Sequence, residues 1–345
     1  MSIYMQRCLD LAAHGLGNVA PNPLVGAVLV HDDRIIGEGF HQEFGKAHAE
    51  VNAIAAVRPD DRWRLPKATL YVSLEPCSDF GKTPTCTNAI LEAGIGRVVV
   101  AMTDPFPLVA GRGIARLREA GVEVLVGEME AEARYLNRRF LTFHQQHRPY
   151  IILKWAQTRN GYFAPHEAKQ QWISNHLCQT LAHRWRSEEQ AILVGRRTAA
   201  IDNPRLNNRA WGGQRQPLRL VLDSHLQLPE TLHLFDQTQP TWIVNHQKQD
   251  TDNPNLQYIR LDAAQNPLSQ LLQHLHAANI QSIIVEGGQQ VLTAFIAQQC
   301  WDEARIFIGA TNWDDGIAAP FLPKAYCHAS NRLEDNVVQF WQPIR

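Results

Sequence analysis

The sequence predicts an α/β protein of two domains, and three observations carry that prediction. The chain has 345 residues, more than the roughly 250–300 residues at which a single core stops growing. Along its first part, strand-like and helix-like hydrophobic patterns alternate, as they do in a sheet covered by helices on both faces. After the polar segment HQQHRP (144–149) the pattern restarts with a new strand. We therefore expect one domain over residues 1–147 and a second over residues 148–345.

The first domain is predicted to start with a helix over residues 2–15, because its apolar residues recur at helical spacing. Its other elements follow from buried runs and turn signals. The predicted strands are 25–30, 34–40, 68–74, 97–102 and 122–127, and the further helices are 47–57, 83–94 and 109–121. In the helix over 83–94 we expect Thr83 as the N-cap, Pro84 at the first position and Gly94 as the stop.

The second domain repeats the alternation of strands and helices. Its predicted strands are 150–158, 191–195, 218–223, 241–245, 282–288 and 303–310, and its predicted helices are 174–189, 267–278 and 289–299. Residues 245–260 are rich in Asn, Gln and Asp and predict a solvated loop. The strand from Ser282 runs into Gly287 and Gly288, where the backbone could approach a phosphate at a helix N-terminus. Such a glycine pair is more often a plain turn.

Composition and charge exclude several classes of protein. The chain is 45% hydrophobic and 19% charged, which is ordinary for a soluble globular protein. A formal net charge of −1 gives no reason to expect a nucleic-acid partner. No apolar run reaches the roughly 18 residues that span a bilayer, and the N-terminus has no signal-peptide layout. Six cysteines in so long a chain are too sparse for a disulfide scaffold. We therefore expect a cytoplasmic protein with reduced thiols.

Four residues of the first domain form a candidate metal site: His48, Glu50, Cys77 and Cys86. His48 opens a predicted helix, Cys77 follows a predicted strand within EPC, and Cys86 lies in the first turn of the next helix. Three such ligands with an open fourth position are the arrangement of a catalytic zinc, and thiolates with imidazole favour zinc over hard cations. Taken singly, the two cysteines could be core thiols, and a redox pair is a poorer alternative.

Glu50 is the predicted catalytic residue of this site. It lies two residues from His48, close enough to reach the open face of the metal without ligating it. A carboxylate there can take a proton from an activated water and return it to a leaving amine. His-x-Glu followed by Pro-Cys and a further cysteine is the signature of zinc deaminases that attack an aromatic C–NH₂ carbon.

Four segments of the chain resemble the bifunctional deaminase–reductase family of riboflavin biosynthesis. They are APNPLVGAVLV (20–30), GEGFHQEFGKAHAE (37–50), EPCSDFGKTPTC (75–86) and DPFPLVAGRGIARLREAG (104–121). The eight residues between the two cysteines are that family's own variant of the deaminase motif. The resemblance implies a cytidine-deaminase-like α/β/α domain followed by a dihydrofolate-reductase-like α/β domain. It implies zinc and NADPH as cofactors and a phosphorylated pyrimidine as the substrate. We further expect a homo-oligomer.

The resemblance also implies residue roles. In the deaminase half it assigns the zinc ligands to His48, Cys77 and Cys86 and the proton shuttle to Glu50. The pyrimidine-binding positions fall on Asn22, His41, Lys82 and Asp104. In the reductase half the NADPH-binding positions fall on Ala156, Trp172, Thr198, Asp202, Ser224, Gly287 and Gly288. The substrate-binding positions there fall on Gln170, Arg186, Leu206, Arg209 and Glu286.

Three departures from the family pattern concern substrate contacts. Asp79 stands where the family usually has His, Phe106 where it often has Asn, and Asn160 where it commonly has Asp. Two other functions remain open from the sequence: an active deaminase with a silent nucleotide-binding or oligomerisation module, and a nucleic-acid base deaminase. The near-zero net charge argues against the latter.

Overall fold

We describe the protein from a computed structural model, which covers residues 2–78, 85–106, 110–213 and 215–344. The chain divides into two compact units, Met1–His147 and Arg148–Arg345. No helix among the described residues is both long and apolar enough to cross a membrane.

The first unit is a five-stranded sheet with helices packed against it. Its strands are β1 (Gly26–His31), β2 (Arg34–Phe40), β3 (Thr69–Val72), β4 (Arg97–Val100) and β5 (Glu123–Val126). Its helices are α1 (Ile3–Ala13), α2 (Ala49–Ala55), α3 (Cys86–Glu92), α4 (Arg112–Glu119), α5 (Glu130–Leu136) and α6 (Arg138–Gln146). The strand order is β2-β1-β3-β4-β5. Strand β1 is antiparallel to both neighbours, whereas β3, β4 and β5 are parallel.

Apolar residues are buried on both faces of this sheet. In β1, Ala27 and Leu29 pack in one hydrophobic cluster with residues of α2, whereas Val28 and Val30 pack in another with residues of α1. Because successive side chains of a strand point to opposite faces, the two clusters are the two sides of the sheet. The predicted α/β/α arrangement of the first domain is confirmed.

The second unit contains a nine-stranded, mostly parallel sheet. The strands of this sheet are β6 (Tyr150–Gln157), β8 (Ala191–Gly195), β9 (Leu218–Leu222), β10 (Thr241–Asn245), β11 (Gln257–Arg260), β12 (Ser282–Val285), β13 (Glu303–Ile308), β15 (Ala325–Leu333) and β16 (Asn336–Pro343). A separate two-stranded sheet pairs β7 (Tyr162–Ala164) with β14 (Ile317–Ala318). The helices of the unit are α7 (His176–Glu188), α8 (Arg196–Asp202), α9 (Pro267–Ala277) and α10 (Gln289–Ala297). The strand order of the nine-stranded sheet is β11-β10-β9-β8-β12-β6-β13-β16-β15.

The central strands of this sheet are buried on both faces. Ile151 and Leu153 of β6 pack in one cluster with α9 and α10, and Ile152 packs in another with α7. The strands from β11 to β13 are parallel, so their carboxyl ends meet at one edge of the sheet. Ligands of open parallel sheets bind beyond such an edge.

Two detailed sequence predictions are wrong. Helix α3 begins at Cys86, and its N-cap is Thr85, whose hydroxyl accepts from the Asn88 N–H; Thr83 and Pro84 lie outside the described residues. The predicted loop over 245–260 ends in a strand, β11, which pairs in parallel with β10. That strand was hidden by its polar composition, since only Ile259 of its four residues is fully buried.

Candidate active sites

The structure brings the three predicted metal ligands together. The ligand atoms of His48, Cys77 and Cys86 all lie within 4.8 Å of one another. His48 Nδ1 lies 3.2 Å from the Cys86 Sγ and 3.6 Å from the Cys77 Sγ. The Cys86 amide also donates to the Cys77 Sγ, at 3.3 Å. Two thiols and an imidazole converging on one point fit a zinc ion, with a fourth position open to a small molecule.

Local structure explains how these ligands converge. His48 is the N-cap residue of α2, in extended conformation, and Cys86 is the first residue of α3. Cys77 follows β3, whose parallel neighbour is β4. Two strand-to-helix connections therefore meet beside the start of α2. The partial positive charge of the helix N-termini favours thiolate ligands there.

The protonation of the two thiols is asymmetric. The pKa of Cys77 is lowered, because the Cys86 thiol and His48 hydrogen-bond to its sulfur. The pKa of Cys86 is raised, because its proton is held by Cys77 and because the thiol is buried beside Glu50. One thiolate is therefore ready to receive a cation, and the second thiol gives up its proton on binding.

Glu50 is buried beside these ligands. It lies in the first turn of α2, is 2% exposed, and lies beside the Cys86 thiol. Burial raises the pKa of Glu50 to about 7. A carboxyl group with a pKa near the working pH is suited to taking up and releasing a proton.

Asn22 and His41 form a polar chain next to His48. The His41 ring packs edge-on against the His48 ring, with centroids 5.2 Å apart. His41 Nδ1 lies 3.1 Å from the Ala47 carbonyl, and Nε2 lies 3.1 Å from the Asn22 Nδ2. Because a carbonyl only accepts, Nδ1 carries the proton and Nε2 accepts from Asn22. His41 is 2% exposed and both of its ring nitrogens are engaged, and its predicted role in substrate binding stays a prediction.

Asp104 and Phe106 lie in the loop after β4. The Asp104 carboxylate accepts from the Phe106 amide at 2.8 Å, and burial raises the pKa of Asp104. The Phe106 ring is 38% exposed and contacts His144 of α6 edge-on, with centroids 5.7 Å apart. Lys82 and Asp79 lie outside the described residues, and their predicted roles stay predictions.

In the second unit, many predicted cofactor residues lie at one edge of the parallel sheet. Strands β9, β8, β12 and β6 are consecutive neighbours. Their carboxyl ends carry Ser224 after β9, Thr198 and Asp202 in the helix after β8, Gly287 and Gly288 after β12, and Ala156 near the end of β6.

The glycine turn after β12 is closely packed. The Gly195 amide donates to the Gly287 carbonyl at 2.8 Å, and a Cβ on Gly288 would lie 3.0 Å from the Thr198 Oγ1. Gly287 has a φ of +115°, which favours glycine. Gly288 is the N-cap of α10. A backbone without side chains, ahead of a nine-residue helix, fits the phosphate of a dinucleotide.

The other predicted cofactor-binding and substrate-binding residues of the second unit do not all lie at this edge of the sheet. Gln170 and Trp172 are exposed, Trp172 by 64%, between β7 and α7. Leu206 is buried at a φ of +51° and accepts at its carbonyl from Gln239. Arg209 is exposed, and its guanidinium donates to the Asn207 side chain at 2.9 Å.

Glu286 is the centre of a buried ion-pair group. Arg186 of α7 donates to both of its oxygens, with Nε to Oε1 at 2.9 Å and Nη2 to Oε2 at 2.8 Å. Lys154 of β6 reaches Oε2 at 3.5 Å. Burial alone would raise the pKa of Glu286, but Arg186 and Lys154 lower it to about 2. The Nε–Nη2 edge of Arg186 already holds this carboxylate, so a phosphate would bind the remaining N–H groups of Nη1 and Nη2 or displace Glu286.

Two residues without an assigned role in the sequence stand out in the structure. Glu75 is buried and accepts four backbone hydrogen bonds. His183, one helical turn before Arg186, accepts at Nδ1 from the Arg209 amide at 3.3 Å. A charged residue directly after a buried strand, and a histidine at i−3 from an arginine, are the only signals the sequence offers for them.

Each of the two units matches the profile of a known protein family. The profile described as the cytidine and deoxycytidylate deaminase zinc-binding region matches residues 1–102, and the RibD C-terminal domain matches residues 149–311. Fold and site thus define a zinc deaminase joined to a reductase domain.

Whole-chain relatives give the family. The riboflavin biosynthesis protein RibD of Aquifex aeolicus is 39% identical over 320 residues, covering 91% of this chain and 88% of the relative. RibD of Bacillus amyloliquefaciens is 40% identical over 321 residues, covering 89% and 85%. The crystal structure of a diaminohydroxyphosphoribosylaminopyrimidine deaminase/5-amino-6-(5-phosphoribosylamino)uracil reductase from Thermotoga maritima superposes with a TM-score of 0.89 at 33% identity, covering 99% of this chain and 97% of the other. The chain belongs to the RibD family of bifunctional deaminase–reductases.

Proposed function

We propose that this protein catalyses two steps of riboflavin biosynthesis. The first removes the 2-amino group of 2,5-diamino-6-(5-phosphoribosylamino)pyrimidin-4(3H)-one by hydrolysis. The second reduces the ribosyl group of the product to a ribityl chain with NADPH. The observation that carries the proposal is the convergence of His48, Cys77 and Cys86 beside Glu50, in a chain that matches the family over both units.

The unit of residues 1–147 would carry out the deamination. Zinc, held by His48, Cys77 and Cys86, would lower the pKa of water to about 7 and so supply a nucleophile at neutral pH. Glu50 accepts the proton of the attacking water at its carboxylate and delivers it to the 2-amino nitrogen. The C–N bond breaks, a C–O bond forms, and the nitrogen leaves as ammonia. Asn22 and Asp104, with Lys82, bind the substrate.

The unit of residues 148–345 would carry out the reduction. NADPH supplies the hydride, so the protein's task is to align nicotinamide and ribose. The residues at the carboxyl edge of β9, β8, β12 and β6 are proposed to hold the cofactor. We propose that the substrate binds to Gln170, Leu206, Arg209 and the Arg186–Glu286 pair. The reason is that Arg209 offers an exposed guanidinium near that pair.

Location and assembly belong to the same proposal. All six cysteines are free, which suits the reducing cytoplasm. Strand β15 lies at the end of the large sheet; Phe321, just before it, is 82% exposed and Tyr326, within it, is 47% exposed. An exposed sheet edge with apolar side chains supports a homo-oligomer, which sedimentation equilibrium tests directly.

The experiment that tests the proposed function measures the two steps separately. Purified protein is expected to contain one zinc per chain, to release ammonia from the diaminopyrimidinone, and to oxidise NADPH when given the deaminated intermediate. Zinc is measured by elemental analysis and NADPH by its absorbance. Stoichiometric zinc and deamination without any NADPH consumption would instead identify the second unit as a silent module.

A further inference from the structure

Glu75 is a buried carboxylate that the proposed chemistry does not use. It follows Leu74 just beyond β3, precedes Pro76 and Cys77, and is 5% exposed. Its own amide donates to the Met102 carbonyl at 3.0 Å, beyond the end of the neighbouring strand β4. The residue therefore lies where the segment carrying a zinc ligand and the segment leading to Asp104 run side by side.

Four backbone amides donate to the Glu75 side chain. Oε2 accepts from Asp104 at 3.1 Å and from Gly111 at 2.9 Å. Oε1 accepts from Gly113 at 2.9 Å and from Ile114 at 3.2 Å. An ionised carboxylate offers about four acceptor positions, so the whole capacity of this one is used. A single oxygen, Oε2, therefore links the amides of Asp104 and Gly111.

The start of α4 is packed tightly against the same segment. A Cβ on Gly113 would clash with the Pro76 carbonyl oxygen. Further along α4, Arg116 donates to the Ser78 carbonyl at 3.3 Å and to the Asn88 side chain. Ser78 follows Cys77, and Asn88 lies two residues beyond Cys86. Glu75 thus ties the Asp104 loop and α4 to the segment that carries the metal ligands.

Capping of a helix does not explain the whole of this arrangement. Gly111 is the N-cap residue of α4, and the amides of Gly113 and Ile114 belong to its first turn, where a carboxylate is the usual partner. The fourth amide lies outside the helix and its cap. It belongs to Asp104 itself, the residue proposed to bind the pyrimidine.

We propose that Glu75 is a positioning residue of the deaminase, which holds Asp104 at the substrate position by fixing the backbone of its loop. The inference rests on the proposed function, because it takes Asp104 as a substrate contact. Glu75 acts through Asp104 and touches neither substrate nor metal.

The variant Glu75→Gln tests this role. Glutamine keeps the size of the side chain but turns an amide NH₂ toward backbone N–H groups, leaving buried donors unpaired. We expect the KM for the diaminopyrimidinone to rise at least about tenfold, with a smaller change in kcat, because substrate positioning is lost and the proton shuttle is not. Zinc content and NADPH oxidation with the deaminated intermediate should stay at the wild-type level. Glu119→Gln, the same change at an exposed position of α4, is the matched control.

A double-mutant cycle with Asp104→Asn decides whether Glu75 acts through Asp104. If it does, Glu75→Gln should change KM by less than about threefold in the Asp104→Asn background, because coupled residues are not additive. Independent, multiplying effects would overturn the proposal, and so would a loss of zinc from Glu75→Gln. Unchanged KM in Glu75→Gln, with an active wild-type deaminase, would do the same. An inactive wild-type protein would instead refute the proposed function.

A second variant covers the case in which Glu75→Gln does not fold. Gly113→Ala leaves the Glu75 carboxylate chemically unchanged but places a Cβ against the Pro76 carbonyl oxygen, which pushes α4 away and with it the Gly113 amide that donates to Oε1. It should raise the same KM and show the same coupling to Asp104→Asn. Zinc content reports whether the first unit is folded, because its metal ligands come from three separate segments of that unit. A folded Gly113→Ala variant with wild-type KM would overturn the proposal.

Discussion

Replacement of Glu50 by glutamine is expected to lower the kcat of deamination by roughly 10²- to 10⁴-fold without removing zinc. Glutamine has nearly the same shape as glutamate but cannot take up a proton from water and deliver it to the leaving amine. The three metal ligands are unchanged, so the variant should bind the metal with the wild-type stoichiometry. Ammonia release and zinc content, measured on the same preparation, check the two halves of the prediction.

Two controls make the Glu50 result specific. Glu43→Gln makes the same change at an exposed position in the loop before α2 and should leave both activities unchanged. NADPH oxidation by the Glu50→Gln protein, given the deaminated intermediate, should equal that of the wild type, because Glu50 lies in the other unit. Deamination at the wild-type rate would contradict the proton-shuttle role, and loss of zinc would show that Glu50 maintains the metal site.

The metal cluster could be anticipated from the sequence because its geometry is set by local signals. His48 and Cys86 each lie at a helix start, and Cys77 follows a buried strand, so three strand and helix ends define the site. Strand β1 is antiparallel to both β2 and β3, so β2 and β3 run in the same direction and their carboxyl ends, which lead to these residues, lie at one edge of the sheet. Periodicity and turn signals detect such short elements, although the predicted N-cap of α3 is Thr83 and the observed one is Thr85.

The elements that the sequence missed depend on contacts far along the chain. Strand β15 has mostly exposed side chains and no alternation of apolar residues, and it exists because it pairs with β16 at the sheet edge. Helices α5 and α6 were obscured by a polar segment interpreted as a domain boundary. Phe140 and Phe143 of α6 are nevertheless buried.

Contacts between site residues, like the missed elements of the fold, depend on residues far apart in the sequence. The sequence identifies Arg186 and Glu286 through resemblance, yet they lie 100 positions apart, and no local pattern shows that they bind each other. Glu75 is likewise defined by amides from 29 to 39 positions away. Residues that act by holding other residues become visible only in the folded chain, because their partners are set by tertiary contacts.

The second large effect is expected from Glu286→Gln. The carboxylate is buried between Arg186 and Lys154. Its removal leaves the positive charges of these two side chains without the negative charge that balances them. Breaking a buried ion pair at one partner typically costs about 3–5 kcal/mol, so we expect the free energy of unfolding of the second unit to fall by that order. NADPH oxidation should be lost as well, since Glu286 lies between the glycine turn and the proposed substrate residues. Urea denaturation and the NADPH assay measure the two effects.

The pH dependence of Glu286→Gln gives the prediction a signature that simple misfolding lacks. The pKa of Glu286 is about 2 in the folded protein, against 4.5 for an ordinary glutamate. A depressed folded-state pKa gives stability that is fully present above pH 4.5 and is lost as the pH falls toward 2. The difference in unfolding free energy between wild type and variant should therefore be constant near neutral pH and shrink below pH 4.5.

Two comparisons assign the Glu286 effect to the ion pair itself. Glu230→Gln, at an exposed position of the same unit, should change the unfolding free energy by less than about 0.5 kcal/mol. The double variant Arg186→Met with Glu286→Gln should be less destabilised than the sum of the two single variants, because each single change leaves a buried charge that the other removes. Additive losses would mean that Glu286 stabilises the fold through Lys154 or through packing. The Arg186–Glu286 ion pair would then not be the contact that stabilises the reductase site.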